Sequence, residues 1–360
     1  MRFVSLKAIN LRCFAEVDYR PGPGNNLIYG ANGSGKTSLL EGLYIASIGK
    51  SFLSSRASDL VLAGSQGLSI TAEIGDAGDF GTSVVVVKKQ KAETQITLDG
   101  QTVSTASALA RNLPVLVMNS RAPDLLGENP SNRRALLDRS LFHVEHGYIG
   151  LWKEYRHALR QRNELLRNPS TRSQAHYWEQ KLAEAGEAIN GCRLAIVEAI
   201  NRKLASSGIP GLGDGELRFD FSQGWNTDLG LAEQLRVDWE RDSELGYTMA
   251  GPHRADLSLW RSGRAVSKKL SRGQSKMVVC LTMLAIAQFI KDAAVAPVLL
   301  FDDLSAELDD MMLGTAVSNI QSIATQCFFT AIKPTEIQSL LPIDTPMFHV
   351  ERKQPPNISA

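Results

Sequence analysis

The chain has only four cysteines in 360 residues, and Cys13, Cys192, Cys280 and Cys327 stand far apart. Their spacing matches no metal motif and no disulfide framework, so reduced core thiols of a cytoplasmic protein are the expectation. An excess of one charge is also missing: 39 Lys and Arg face 38 Asp and Glu, for a net charge of +1. The chain as a whole is therefore no basic polyelectrolyte, and any nucleic-acid surface must be local. The longest apolar run, residues 277–290, has 14 residues and contains Thr282 and Gln288. That is too short to span a bilayer and reads as a buried helix. The first residues alternate like a strand and lack a secretory apolar region. Long heptad arrays, internal repeats, zinc fingers and recognition-helix motifs are absent. These absences argue against a coiled-coil organiser and against sequence-specific DNA readout.

What remains is an ordinary globular composition, 43% hydrophobic and 21% charged. At this length one large domain with an insert, or two domains, is expected. Residues 1–120 carry short β-branched runs between Gly, Asp and Asn turns. Residues 131–207 carry apolar residues at three- and four-residue spacing, which predicts two or three long helices, with the one clear breaker at 168–173. A strand at "ELRFDF" and a helix at "LAEQLRVDWERDSEL" follow. From residue 271 the order is helix, strand, helix, strand, short helix, strand. Buried strands alternating with helices at both ends of the chain predict one α/β domain built from both termini around a helical insert. The expected boundaries are an α/β lobe over 1–120 and 246–352, a helical second lobe over 121–245, and a disordered tail over 353–360.

The phosphate chemistry sits in "GANGSGKT", residues Gly30, Ala31, Asn32, Gly33, Ser34, Gly35, Lys36 and Thr37. It fits G-x-x-x-x-G-K-[ST] at every position, between a strand and a helix. A triphosphate needs inward backbone N–H groups unobstructed by side chains, and the three glycines allow that. Lys36 would neutralise phosphate oxygens and the Thr37 hydroxyl would ligate Mg²⁺. "PVLLFDD" ends a buried strand in Asp302 and Asp303. Asp302 would reach the metal through water, and Asp303 would accept a proton from the water that attacks ATP. A plain helix cap is the bland alternative for the acidic pair, and a glycine turn for the loop.

"LSRGQ", residues 270–274, precedes the long apolar helix and is followed by the acidic strand end. That order resembles the signature of ABC-type ATPases. There, Ser271, Gly273 and Gln274 would bind the ATP of a second subunit, so that two heads sandwich two nucleotides. "SAELDD", 305–310, resembles the loop crossing the same interface. The competing reading is that Ser271 only caps its own helix.

Over nearly its full length the chain resembles the RecF family. The narrowing motifs are "NLRCF", "NPSNRRALLDRSLFH", "YRHALRQRNELLR" and "GPHRADL". The resemblance implies an α/β ABC-type ATPase head with a mixed sheet, a helical second lobe and no long coiled coil. It further implies ATP and Mg²⁺ as cofactors and an ATP-dependent homodimer that slow, DNA-stimulated hydrolysis reopens. Binding to single-stranded, gapped or junction DNA, cooperation with RecR and RecO, help in loading the recombinase and a link to the SOS response are implied as well. Departures are Leu53 where the family usually has arginine, Arg121 near the loop that couples nucleotide to the second lobe, and Thr330 in place of a transporter's switch histidine. The alternatives are an ATPase subunit of a membrane transporter or an SMC-like assembly, and a small-molecule kinase. About 235 residues separate Lys36 from Ser271, far more than a transporter subunit needs.

Residues 131–172 hold nine basic residues against four acidic ones. Arg156 and Arg160 share a helical face. Lys268 and Lys269 lie beside the signature. These four are the candidate phosphate contacts for DNA. Arg133, Arg134 and Arg162 lie in family motifs and read equally well as structural.

Overall fold

The computed structural model describes residues 1–54, 56–75, 81–90, 93–103, 113–120, 122–127, 129–145, 147–168, 172–213, 215–266, 269–293, 295–323 and 325–351. Arg121, Lys268, the centre of the predicted breaker and the predicted tail lie outside them. In chain order the elements begin with β1 (Arg2–Leu11), β2 (Phe14–Tyr19), β3 (Asn25–Tyr29), α1 (Lys36–Ile48) and β4 (Gly67–Gly75). Next come β5 (Thr82–Gln90), β6 (Glu93–Leu98), β7 (Gln101–Thr102) and β8 (Val115–Met118). The middle holds α2 (Pro130–Val144), α3 (Tyr148–Leu166), α4 (Arg172–Ser206), β9 (Leu217–Ser222), α5 (Leu231–Val237) and α6 (Trp239–Leu245). Then follow β10 (Asp256–Arg261), β11 (Arg264–Ala265), α7 (Arg272–Ala293), β12 (Val298–Phe301), α8 (Asp310–Gln321), β13 (Cys327–Ala331) and β14 (Met347–His349).

The chain divides into two compact units, 1–122 with 290–360, and 123–289. Residues 246–289, which the sequence groups with the ATPase lobe, cluster with the second unit. The reason is local: β10 pairs antiparallel with both β9 and β11. The segment 251–277 looks too rich in glycine and charge to be regular, yet it holds this β10–β11 hairpin and the start of α7.

The first unit has two sheets. One is antiparallel, in the order β2-β1-β4-β5-β6-β7. The other is parallel throughout, in the order β14-β3-β13-β12-β8. Strands β12 and β13 are buried at every position, as strands covered on both faces must be. Helix α1 packs against β1, β4 and β5 of one sheet and against β8 and β13 of the other. It is therefore buried nearly all round, and Leu39, Leu40, Leu43 and Ile45 are fully buried. Each such side chain contributes about 1.5–3 kcal/mol of burial. Buried Gln326, just before β13, ties the sheets together: Phe3 N donates to its Oε1 at 2.8 Å, and its Nε2 donates to Phe3 O and Gly22 O.

The second unit is built on the α3–α4 hairpin, with α2 packed on β10 and α4. Four of its arginines are structural. Arg133 pairs with Asp256 at 2.8 Å, Arg134 donates to Ala255 O, and Arg193 pairs with Asp138 and donates to Pro252 O. Arg162 is fully buried and donates to Asp242, Thr248 Oγ1 and Leu235 O. The expected helix over "LAEQLRVDWERDSEL" is instead two seven-residue helices that meet at Asp238.

Helix α7 corrects a length argument. It has 22 residues, not 14, and is long and apolar enough to cross a bilayer. Its apolar residues from Met277 to Ala287 are nevertheless buried within the protein, as expected of a core helix. All four cysteines are free. Cys280 and Cys327 are core thiols that burial pushes up to about 12, whereas Cys13 and Cys192 are only half-buried.

Candidate functional site

The parallel sheet puts three strand ends side by side. Tyr29 at the end of β3 pairs with Ala331 at the end of β13, and Phe301 at the end of β12 pairs with Phe329. Ligands of open parallel sheets bind outside such carboxyl ends. The loop Gly30–Gly35 leaves β3 here and turns into α1. A Cβ at Gly30 would lie 2.3 Å from Val350 O, so no side chain fits. Gly35 has φ 116°, and a Cβ there would sit 2.5 Å from Phe14 Cζ and 2.8 Å from Cys13 Sγ. A Cβ at Gly33 would meet nothing within 4 Å, so there the loop faces open space. Ala31, Asn32 and Gly33 are exposed.

The N-terminus of α1 has no side-chain cap, and its first turn has no acidic residue. The free N–H groups and the dipole therefore stay available to an anion. Ser34 Oγ is buried without a hydrogen-bond partner among the described residues. Lys36 is 6% exposed and donates from Nζ to Gly30 O at 2.8 Å and Ala31 O at 3.2 Å. Among the described residues this ammonium has no carboxylate partner. An orphaned hydroxyl, an unpaired cation and an open helix end fit a polyphosphate, which would supply acceptors for all three.

The acidic strand end adjoins the loop. Asp302 is buried and accepts from Thr37 Oγ1 at 2.9 and 3.0 Å and from Thr330 Oγ1 at 2.9 Å. Burial pushes its carboxyl above the ordinary carboxylate range, opposed by those two hydroxyls. Asp303 adopts a left-handed backbone, φ 54°, and its N–H donates to Thr330 Oγ1 at 2.8 Å. Such a conformation costs a non-glycine residue roughly 1–3 kcal/mol and persists only where neighbours hold it. No group of three or more His, Cys, Asp or Glu gathers among the described residues. The donor set of one hydroxyl and one carboxylate fits Mg²⁺ completed by nucleotide oxygens and water, not a cation held by protein alone. Thr330, which stands where a transporter has its switch histidine, donates from its hydroxyl to Asp302 and accepts from Asp303 N, so it holds both aspartates. Only the pairing of β13 beside β12 reveals this.

The signature lies in the second unit. Ser271 is exposed and Gly273 is buried. Ser271 Oγ accepts from Gln274 N at 3.2 Å, and Gln274 Oε1 accepts from Ser271 N at 3.1 Å. This reciprocal pair is a capping box on α7, so Ser271 does cap its own helix. Gln274 Nε2 also donates to Gly211 O. In the loop after β12, Asp309 caps α8 through Met312 N at 2.8 Å.

Of the DNA candidates, Arg156, Arg160 and Lys269 are exposed. Arg156 lies over the Trp152 ring at 5.9 Å, and Arg160 has no ion-pair partner among the described residues.

The comparisons with known proteins agree with this geometry. The model of the RecF/RecN/SMC N-terminal domain matches residues 3–350. The DNA replication and repair protein RecF of Shewanella baltica (strain OS223) is 34% identical over 357 residues, covering 97% of this chain and 98% of that protein. The RecF of Vibrio atlanticus (strain LGP32) is 32% identical over 335 residues, 93% of each chain. The solved recombination mediator protein RecF with ATP, of the RecFOR pathway, superposes with TM-score 0.81 at 21% identity, covering 97% and 95% of the two chains. The Smc head domain of Pyrococcus furiosus superposes with TM-score 0.60 at 16% identity, covering 98% and 94%. The fold is thus the mixed α/β ABC-type ATPase fold that RecF shares with SMC heads, without a long coiled coil. With identity above 30% over nearly the whole length of curated relatives, the chain belongs to the RecF family of DNA replication and repair proteins.

Proposed function

We propose that this chain is an ATP-gated DNA clamp of recombinational repair and replication. ATP closes a homodimer on single-stranded, gapped or junction DNA, and slow, DNA-stimulated hydrolysis reopens it. The observation that carries the reading is the cluster of Thr37, Asp302 and Thr330 beside the uncapped N-terminus of α1. In this reading Lys36 leaves the loop carbonyls and binds the β- and γ-phosphates. Thr37 and Asp302 would hold Mg²⁺. The metal would neutralise charge that develops on the phosphates. Asp303, held by Thr330, takes the proton of the attacking water. Ser271, Gly273 and Gln274 meet the nucleotide of the second copy, so two incomplete sites become two complete ones. Exposed Arg156, Arg160 and Lys269, with Lys268, neutralise DNA phosphates without reading sequence. RecR and RecO are the partners this reading implies, since a related RecF is a mediator of the RecFOR pathway. It helps to load the recombinase, in the cytoplasm.

Size-exclusion chromatography with and without ATP·Mg²⁺ and gapped DNA tests the reading. ATP should move the wild-type chain to the elution volume of a dimer, and DNA should co-elute with it. Lys36→Met should remain monomeric, with ATP affinity lowered roughly 10–100-fold, the loss of one charge-assisted contact. Unchanged ATP affinity in Lys36→Met, or elution indifferent to ATP, would overturn it.

A further inference from the structure

The α3–α4 hairpin carries a feature that the phosphate site does not use. One face of α3 is buried through Tyr155, Ala158, Arg162 and Leu166. The opposite face exposes Lys153, Arg156, His157, Arg160, Glu164 and Arg167, spaced three and four residues apart. Lys153, Arg160 and Arg167 have no ion-pair partner among the described residues. Glu164 is the carboxylate within the stripe, and exposed Glu154 stands at its edge. This face is set apart from the buried arginines of the same unit, which are spent on Asp138, Asp242 and Asp256.

Beside the stripe lies a ladder of rings. The His157 ring meets the edge or face of Trp178 on α4 at 5.2 Å and 81°. Trp178 in turn meets Tyr177 at 5.0 Å and 78°. Trp178 is half-buried, but Tyr177 is 59% exposed, with its ring braced by Trp178. The ring ladder thus starts within the basic stripe, at His157, and ends on an open aromatic surface. A solvated helix face needs cations but no braced, exposed ring. Duplex DNA offers phosphates to the cations but keeps its bases stacked on one another. A single strand offers both a backbone for the stripe and free base faces for the ring.

We propose that the Tyr177–Trp178–His157 ladder is a stacking platform for an unpaired base of single-stranded nucleic acid, whose backbone follows the Lys153–Arg160 stripe of α3. The inference rests on the DNA-binding reading above and adds which strand form this face takes and through which residue. In ATP·Mg²⁺ and fixed salt, the full-length protein is titrated with a fluorescent oligothymidylate and, separately, with a blunt duplex. Tyr177→Ala should weaken single-strand binding roughly tenfold, the effect of removing one stacked base, and change duplex binding less than twofold. Tyr177→Phe, which keeps the ring, should stay within twofold of wild type on both. Arg160→Ala should weaken both ligands and flatten the salt dependence of each. Circular dichroism and ATP-driven dimerisation of Tyr177→Ala should match wild type, because the side chain is exposed and remote in sequence from the phosphate loop. If wild type binds DNA but Tyr177→Ala keeps its single-strand affinity within twofold, the platform is wrong and the clamp reading stands. An equal loss on single strand and duplex also overturns the platform. A wild type that binds neither ligand removes the clamp reading and this inference together.

Discussion

Helices α1 and α7 both begin in a glycine-bearing loop, yet their N-termini are treated in opposite ways. At α1 the cap is Gly35, no side chain closes the first turn, and Ser34 Oγ is left buried without a partner among the described residues. At α7 Ser271 and Gln274 satisfy each other's backbone N–H groups, and Gln274 is further tied to Gly211. The contrast extends to the cations. Lys36 rests on two carbonyls with no carboxylate, whereas Arg162, Arg193 and Arg133 are locked into carboxylates of the second unit. Unsatisfied polar groups cost free energy, and at the N-terminus of α1 a bound anion would supply the missing acceptors. The open end is where an anionic ligand would find free donors. The closed groups specify the architecture of the second unit.

The closed side breaks most severely. Arg162→Ala should destabilise the protein by about 3–5 kcal/mol, because Asp242 and Glu179 lose their buried partner. Urea unfolding measures this, and a loss under 1 kcal/mol would mean that the network is not structural.

A smaller effect comes from His253. Its Nε2–H donates to Thr248 O at 3.1 Å, so Nδ1 accepts the Tyr155 hydroxyl at 2.6 Å. Burial, helped by the neighbouring Arg254, Arg134 and Arg193 and opposed by the Thr248 carbonyl, lowers the imidazole from 6.5 to about 4. As pH falls below 6.5 the unfolded chain takes up the proton first. Stability is therefore complete above about pH 6.5 and falls by roughly 2–3 kcal/mol on the way to pH 4. Unfolding free energies across that range should show the slope, and His253→Gln should flatten it. Identical slopes in both proteins would place the titration elsewhere.

The smallest effect sharpens the comparison itself. Ser271→Ala removes the cap of α7 and should cost about 1 kcal/mol of stability. If the signature also serves a second copy, the same substitution should weaken ATP-driven dimerisation while ATP binding by the monomer persists. Ser271→Arg should block closure by bulk. Mixed with Lys36→Met, it should restore part of the DNA-dependent ATPase activity, since one composite site of the mixed dimer carries neither lesion. Normal dimerisation of Ser271→Arg alone would leave the serine as a cap and nothing more.

Much of the site was legible because its parts are contiguous. The phosphate loop, the acidic strand end and the signature are each a handful of neighbouring residues whose spacing carries the chemistry. Strands β2, β8 and β10 were not read; β8 owes its pairing to the distant β12, whereas β2 is held by the neighbouring β1. The split of the predicted helix at Asp238, and the grouping of 246–289 with the second unit, follow from packing that no local pattern encodes. The arginines were the hardest. In the sequence, Arg160 and Arg162 are two positions apart and alike, but a helix turns them about 200° from each other, one into the core and one to solvent.

By itself, the sequence determined the α/β architecture closed from both ends of the chain, the glycines at 30, 33 and 35 of the loop, and Lys36, Thr37, Asp302 and Asp303 as one candidate group. Periodicity and steric limits act over a few residues, so a few residues suffice to read them. Only the tertiary structure decided that Thr330 clamps both aspartates, that Ser271 closes a capping box, and that Tyr177 stands exposed on a braced ring. Those outcomes depend on which strand lies beside which, and on the hydrogen-bond partners and solvent that each side chain meets once the chain has closed.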